Sequence, residues 1–86
     1  MEIEFSKRAN EELNEWLFED KKVYNKIVSL LDDIVINQFK GIGHPEPLKG
    51  NLSGYWSRRI NYEHRLVYKI EKETIYVLQC RFHYKS

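Results

Sequence analysis

The side chains that could do chemistry lie in the second half of this chain. Glu46 stands between two prolines in HPEPLKG, residues 44–50, with Lys49 three positions further on. Arg58, Arg59, Arg65, Arg81 and His83 follow, and Tyr84 is next to the histidine. One carboxylate, one imidazole and several guanidiniums suit a reaction that needs a base, an acid and a fixed cation. Cleavage of RNA through its own 2′-hydroxyl is such a reaction. A base takes the 2′ proton, and the oxyanion attacks the adjacent phosphorus. An acid then protonates the departing 5′ oxygen, while a guanidinium stabilises the crowded phosphorane. The prolines stiffen the backbone on both sides of Glu46, which suits a base that must be held still. Dependence on a 2′-hydroxyl would spare DNA.

Each residue also has a plainer reading. Glu46 could be a solvated loop acid and His83 a surface histidine. Arg65 could pair with Glu63 or Glu73. Ser57 reads as an ordinary strand serine. A basic RNA-binding module with no catalysis accounts for the same cations, and chemistry alone does not choose Arg65 over Arg81. No Cys–His or His–His pair has metal-ligand spacing. No glycine loop is built to cradle phosphate, and no serine sits in a nucleophile elbow. No metal or cofactor is therefore expected.

These side chains need a scaffold, and the chain has 86 residues for it, enough for one domain with a modest core. Composition is 42% hydrophobic and 14% aromatic, which argues against disorder. A single cysteine, Cys80, excludes an internal disulfide. No apolar run resembles a signal peptide or a membrane span, so a cytoplasmic protein with no membrane partner is expected. The net charge of +1 hides an asymmetry. Residues 1–40 carry nine acids and six bases, a net of −3, whereas residues 41–86 carry four acids and eight bases, a net of +4. The second part therefore favours an anionic partner.

Residues 2–5 alternate as a short strand, and Ser6 is a candidate N-cap. Ala9, Leu13, Trp16 and Leu17 recur at helical spacing over residues 7–19. Asp20 can cap a second helix, in which Val23, Ile27, Leu30, Leu31 and Ile34 form an apolar stripe to about residue 38. Residues 40–54 hold all four glycines and both prolines and read as one loop. Strand-like segments follow at 55–60, 64–70 and 74–84. The order β-α-α-β-β-β predicts an α+β domain with two helices on one face of a mainly antiparallel sheet. A three-residue turn centred on Lys72 would pair residues whose numbers sum to 144. Arg65 would then face Gln79, on the same surface as Arg81 and His83. An even turn would separate Arg65 from His83. Strict alternation points Tyr84 away from His83, so the strand is expected to fray or bend there.

The run PEPLKGNLSGYWSRRINYEHRLVYKI and the terminal CRFHY resemble the YoeB toxins of the RelE-like superfamily. PEPLK, NLSG, WSRRI, EHRLVY and HY keep order and spacing, while the first forty residues agree mainly in pattern. The resemblance implies the toxin of a type II toxin–antitoxin system: a metal-independent endoribonuclease acting on messenger RNA in the ribosomal A site. It implies Glu46 as general base, His83 as general acid and Arg65 as transition-state stabiliser. Arg59 and Lys49 would contact phosphates, Tyr84 would orient the substrate or the histidine, and Arg58 is a further RNA-binding candidate. The implied partner is a YefM-like antitoxin, with operator DNA reached only through that complex. A homodimer is allowed by the family and is not visible in the residue pattern. A decayed toxin that binds RNA or antitoxin without cutting is the competing outcome. Gly50, His44, and Lys85 and Ser86 after the His-Tyr pair depart from the usual pattern, and none removes a proposed catalytic group.

Overall fold

The computed structural model describes residues 1–84. Lys85 and Ser86 lie outside the described residues. Strand β1 (Glu2–Phe5) leads into α1 (Lys7–Glu19) and α2 (Lys21–Ile36). The two-residue strand β2 (Glu46–Pro47) follows, then β3 (Trp56–Arg59), β4 (Arg65–Glu71) and β5 (Thr74–Gln79). The sheet order is β1-β5-β4-β3-β2; β1 runs parallel to β5 and the other neighbours are antiparallel. This is the expected helix-on-sheet layout with two changes. The 40–54 loop contributes β2, and the last strand stops at Gln79 rather than running to Tyr84.

Both helices start where the residues suggest. Ser6 Oγ accepts the Ala9 N–H at 2.9 Å, and Asp20 Oδ1 accepts the Lys22 N–H at 3.1 Å. The α2 stripe of Val23, Ile27, Leu30, Leu31 and Ile34 is buried. It packs with Leu66, Tyr68, Ile75 and Val77 of the sheet in one core cluster. Full burial of each aliphatic side chain contributes about 1.5–3 kcal/mol. Cys80 joins this core, and burial pushes its thiol up to about 12.

The β4–β5 hairpin differs from expectation in an instructive way. Glu71 pairs with Thr74, so the turn is two residues long, and Lys72 enters it with a φ of 56°. Near the turn Tyr68 therefore faces Val77, not Tyr76. A bulge at Leu78 then shifts the register, and Val67 faces Gln79. The bulge returns the parity that an odd turn would have produced. Ser6 fixes it from outside: its Oγ donates to Leu78 O at 2.7 Å and its N–H to Val77 O at 2.9 Å.

Arg58 corrects the sequence reading. It is 0% exposed and lies on the helix side of the sheet, so it is not available to contact RNA. Its guanidinium donates to Asp33 Oδ2 and to the carbonyls of Asn37, Lys40 and Ile42, and its Nε donates to Tyr68 Oη. The ion pair holds the Asp33 carboxyl below its ordinary range. Tyr68 Oη in turn donates to Gln38 O at 2.9 Å. The segment after α2 is thus wrapped round one buried cation. Gly41 and Gly43 permit the wrap, with φ of 112° and 81°. A Cβ on Gly41 would collide with the Asp33 carboxylate.

Removing that cation should loosen the whole segment. Arg58→Met keeps the aliphatic stem and is expected to lower the unfolding free energy by about 3 kcal/mol or more, because it orphans a carboxylate and buried carbonyls. Urea denaturation at neutral pH measures this. A loss within about 0.5 kcal/mol, the range of an ordinary surface substitution, would show that the network carries little of the fold.

Candidate active site

The face of the sheet opposite the helices carries one continuous row. Glu46 pairs with Ser57, Ser57 with Val67, and Val67 with Gln79. Paired residues share a face, so these four side chains line up across β2, β3, β4 and β5. Next to Ser57 and Val67 in the chain order of that face, Arg59 pairs with Arg65. The Pro-flanked acid and two of the arginines therefore come together although Glu46 and Arg65 are nineteen positions apart in sequence.

The C-terminal segment reaches this face by leaving the sheet. Helix α1 pins Cys80: its N–H donates to Glu12 Oε1 at 2.8 Å, and its carbonyl accepts from Trp16 Nε1 at 2.9 Å. Arg81 swings to the helix side, 2.9 Å from Glu15 and 2.7 Å from Glu19, with its guanidinium 4.4 Å from the Trp16 ring centroid. It is not on the surface shared by Arg65 and His83, contrary to the strand extrapolation. Phe82 then takes a φ of 65° and bends the chain. The result is a hydrogen bond from Tyr84 Oη to Glu46 Oε1 at 3.2 Å, across 38 positions of sequence. The expected bend near Tyr84 is present, and it begins two residues earlier.

Partial burial raises the Tyr84 phenol above its ordinary value, and the Glu46 charge raises it further. Ser57, by hydrogen bonding, and Arg65, by its charge, pull the other way. All three neighbours thus act on one hydroxyl. His83 is exposed, with its ring centroid 6.3 Å from that of Tyr84, and it lines a depression with Arg8, Leu52, Leu78 and Gln79. Arg65 Nη1 donates to the carbonyls of Asn61, Tyr62 and His64 at 2.9–3.2 Å. Among the described residues it forms no ion pair with Glu63 or Glu73. Arg59 is exposed, with its N–H bound to Gly43 O at 2.6 Å. Lys49 is exposed just before the 3₁₀ turn Gly50–Leu52.

Three contributors were not singled out from sequence. Ser57 sits between Glu46 and Val67, while Gln79 and His64 hold the terminal turn. Strand parity offered a signal for Ser57 and Gln79, since both fall on the open face. No local signal marked His64. Among the described residues no group of three or more His, Cys, Asp or Glu could hold a metal ion. A larger depression of about 520 Å³ lies elsewhere, lined by residues including Glu4, Tyr55, Lys69 and Tyr76, and contains none of the candidate residues.

Residues 5–84 match the family described as the YoeB-like toxin of bacterial type II toxin–antitoxin systems. Toxin YoeB of Streptomyces coelicolor is 49% identical over 84 residues, covering 98% of this chain and all of that relative. The heterotetrameric YoeB–YefM toxin–antitoxin complex from Staphylococcus aureus contains a chain with a TM-score of 0.91 and 47% identity, covering 98% of both chains. The YoeB dimer from the same organism gives a TM-score of 0.92 at 47% identity, again covering 98% of both.

The Glu46–Tyr84 contact can be checked in the isolated protein. A raised phenol keeps its proton to higher pH, so Tyr84 should titrate above an ordinary tyrosine. Glu46→Gln removes the negative neighbour but keeps a carbonyl acceptor, and should move that titration down. Arg65→Gln removes a positive neighbour and should move it up. Carbon-13 NMR of the Tyr84 ring follows both shifts, and a Tyr84 titration indifferent to Glu46→Gln would show that the two groups do not meet in solution.

Proposed function

The chain belongs to the YoeB-like toxins of bacterial type II toxin–antitoxin systems, and from that premise we propose that it is a ribosome-dependent endoribonuclease that cuts messenger RNA. The observation that carries the proposal is the Tyr84–Glu46 hydrogen bond, which brings the histidine-bearing end of the chain to the only acid on the open face of β2 and β3. Glu46 takes the 2′ proton, and the freed oxyanion attacks the adjacent phosphorus. Arg65 stabilises the phosphorane, and protonated His83 gives its proton to the departing 5′ oxygen. This chemistry balances with a 2′,3′-cyclic phosphate on one fragment and a 5′-hydroxyl on the other, and requires no metal. Arg59 and Lys49 contact flanking phosphates, and Tyr84 orients Glu46 and the substrate.

The free protein holds Arg65 Nη1 on its own loop carbonyls. A modest rearrangement, or use of the remaining guanidinium donors, brings it to a phosphate. Glu46, Arg59 and His83 stand at the exposed surface rather than in a closed pocket, so the ribosome supplies much of the positioning by presenting the message in the A site. Action there places the protein in the cytoplasm; among the described residues no helix is long and apolar enough to cross a membrane. The solved Staphylococcus aureus relatives favour a YefM-like antitoxin as the inhibitor and a homodimer as the free state. Operator DNA is contacted through the antitoxin.

Added to translating ribosomes, the protein should generate message fragments with cyclic phosphate ends. His83→Ala and Glu46→Ala should each slow cleavage by roughly a hundred- to ten-thousand-fold. Intact messages in the presence of folded wild-type protein would refute the proposal and leave the non-catalytic binding module standing.

The paired acid and base make a separate demand on pH. Single-turnover cleavage should follow a bell-shaped profile, because one group must be ionised while the other is protonated. A flat profile from about pH 5 to 9, with chemistry rate-limiting, would reject this pairing of Glu46 with His83.

A further inference from the structure

The turn that delivers His83 is held by two buried side chains that the cleavage chemistry does not use. His64, 8% exposed, lies just before β4 with its ring edge-on to Trp16, centroids 4.8 Å apart. Its Nδ1 accepts the Phe82 N–H at 2.8 Å. A ring nitrogen that accepts carries no proton, so the neutral imidazole keeps its hydrogen on Nε2. Phe82 needs such a partner, because its φ of 65° is disfavoured for a bulky residue.

Gln79, 3% exposed, holds the same turn from the other side. Its Nε2 donates to Arg81 O at 3.1 Å and to His83 O at 3.0 Å, with Phe82 O at 3.5 Å. The side chain lies on the sheet face opposite the helices and takes no part in the core cluster. Its amide is therefore spent on the backbone of three consecutive residues and not on joining strands. The Arg65 N–H adds a bond to Phe82 O at 3.2 Å, which links the clamp to the strand that bears the proposed transition-state cation.

We propose that His64 and Gln79 are positioning residues for His83: His64 Nδ1 and the Gln79 amide clamp the backbone of residues 81–83 and thereby set the imidazole against the Glu46–Tyr84 pair. The inference rests on the reading of His83 as the general acid. Loss of either grip leaves the segment tethered through Cys80 and Arg81, so the chain end stays near the site but loses its angle. A general acid displaced by about an ångström can cost about a hundredfold in rate.

Three variants separate positioning from folding. Gln79→Glu is isosteric and turns the donor into an acceptor facing carbonyl oxygens. His64→Asn places a carbonyl oxygen near the position of Nδ1, whereas His64→Gln places it near Nε2; both lose the ring equally. Single-turnover cleavage on ribosomes, measured at a temperature where every variant is folded and ribosome-bound, should fall about a hundredfold in Gln79→Glu and His64→Gln, and His64→Asn should recover most of the loss. Hydrogen exchange at the Phe82 amide should accelerate in Gln79→Glu and His64→Gln and stay slow in His64→Asn. Wild-type cleavage rates in folded Gln79→Glu or His64→Gln would overturn the inference, as would a His64→Asn rate no better than that of His64→Gln. If wild-type protein cuts no message, the nuclease reading fails on its own. Phe82 exchange then still decides the clamp, and equal protection in all four proteins overturns it.

Discussion

A guanidinium with no exposed surface must find a partner for every N–H it owns, and Arg58 does. Its five donors meet one carboxylate, one phenol and three backbone carbonyls. The carbonyls belong to Asn37, Lys40 and Ile42, the residues that carry the chain out of α2 toward Glu46. Desolvating a charge is costly unless it is fully paired, so this segment cannot drift without exposing or orphaning the cation. The same strand then holds Arg59, whose N–H grips Gly43 O, and Ser57, which pairs with Glu46. One buried charge thus fixes the register of β2 against β3, and with it the place of the proposed base. The two prolines then need only keep Glu46 from turning.

The site is assembled from two ends that meet by different means. Glu46 arrives on a sheet edge, through backbone pairing. His83 and Tyr84 arrive through a hook, after the sheet has ended. Helix α1 fixes the start of the hook at Cys80 and Arg81, using Glu12, Trp16, Glu15 and Glu19. The acids of the first forty residues therefore have a definite use here: they draw Arg81 to the helix side and leave the open face to Arg59 and Arg65. The charge asymmetry along the chain becomes a division between faces of the molecule only after this pairing is made.

Much of this was legible in the residues, and the gaps have physical causes. The helices, their caps at Ser6 and Asp20, and the α2 stripe follow from local periodicity. The hairpin turn does not, because Glu-Lys-Glu contains no glycine or asparagine to mark the turn residues, and Lys72 takes the left-handed conformation unaided. The misplaced register nevertheless put Gln79 on the correct face, since the Leu78 bulge restores the parity that the two-residue turn removes. A bulge held by Ser6 has no sequence signature, because it depends on a contact across 72 positions. Arg58 was legible in principle. Trp56, Arg58 and Ile60 share one strand parity and Ser57 and Arg59 the other, so adjacent arginines had to face opposite sides of the sheet.

An open site changes which effects can contribute to catalysis. Glu46 and His83 are exposed, so neither gains the strengthening of electrostatic interactions that a dry cavity gives. What the fold can supply to the proposed reaction is geometry: the proposed base on a stiff edge strand, the proposed cation on the central strand, and the proposed acid on the hook that follows the last strand. Orientation of this kind accelerates a reaction only when the substrate is oriented as well. Single-stranded RNA in solution samples many backbone angles, and few of them align a 2′-oxygen with the adjacent phosphorus and the leaving oxygen. A surface that cannot enclose its substrate must therefore receive it already bent. That requirement is an independent physical reason to look for the substrate on a large, rigid partner, and a translating ribosome is such a partner.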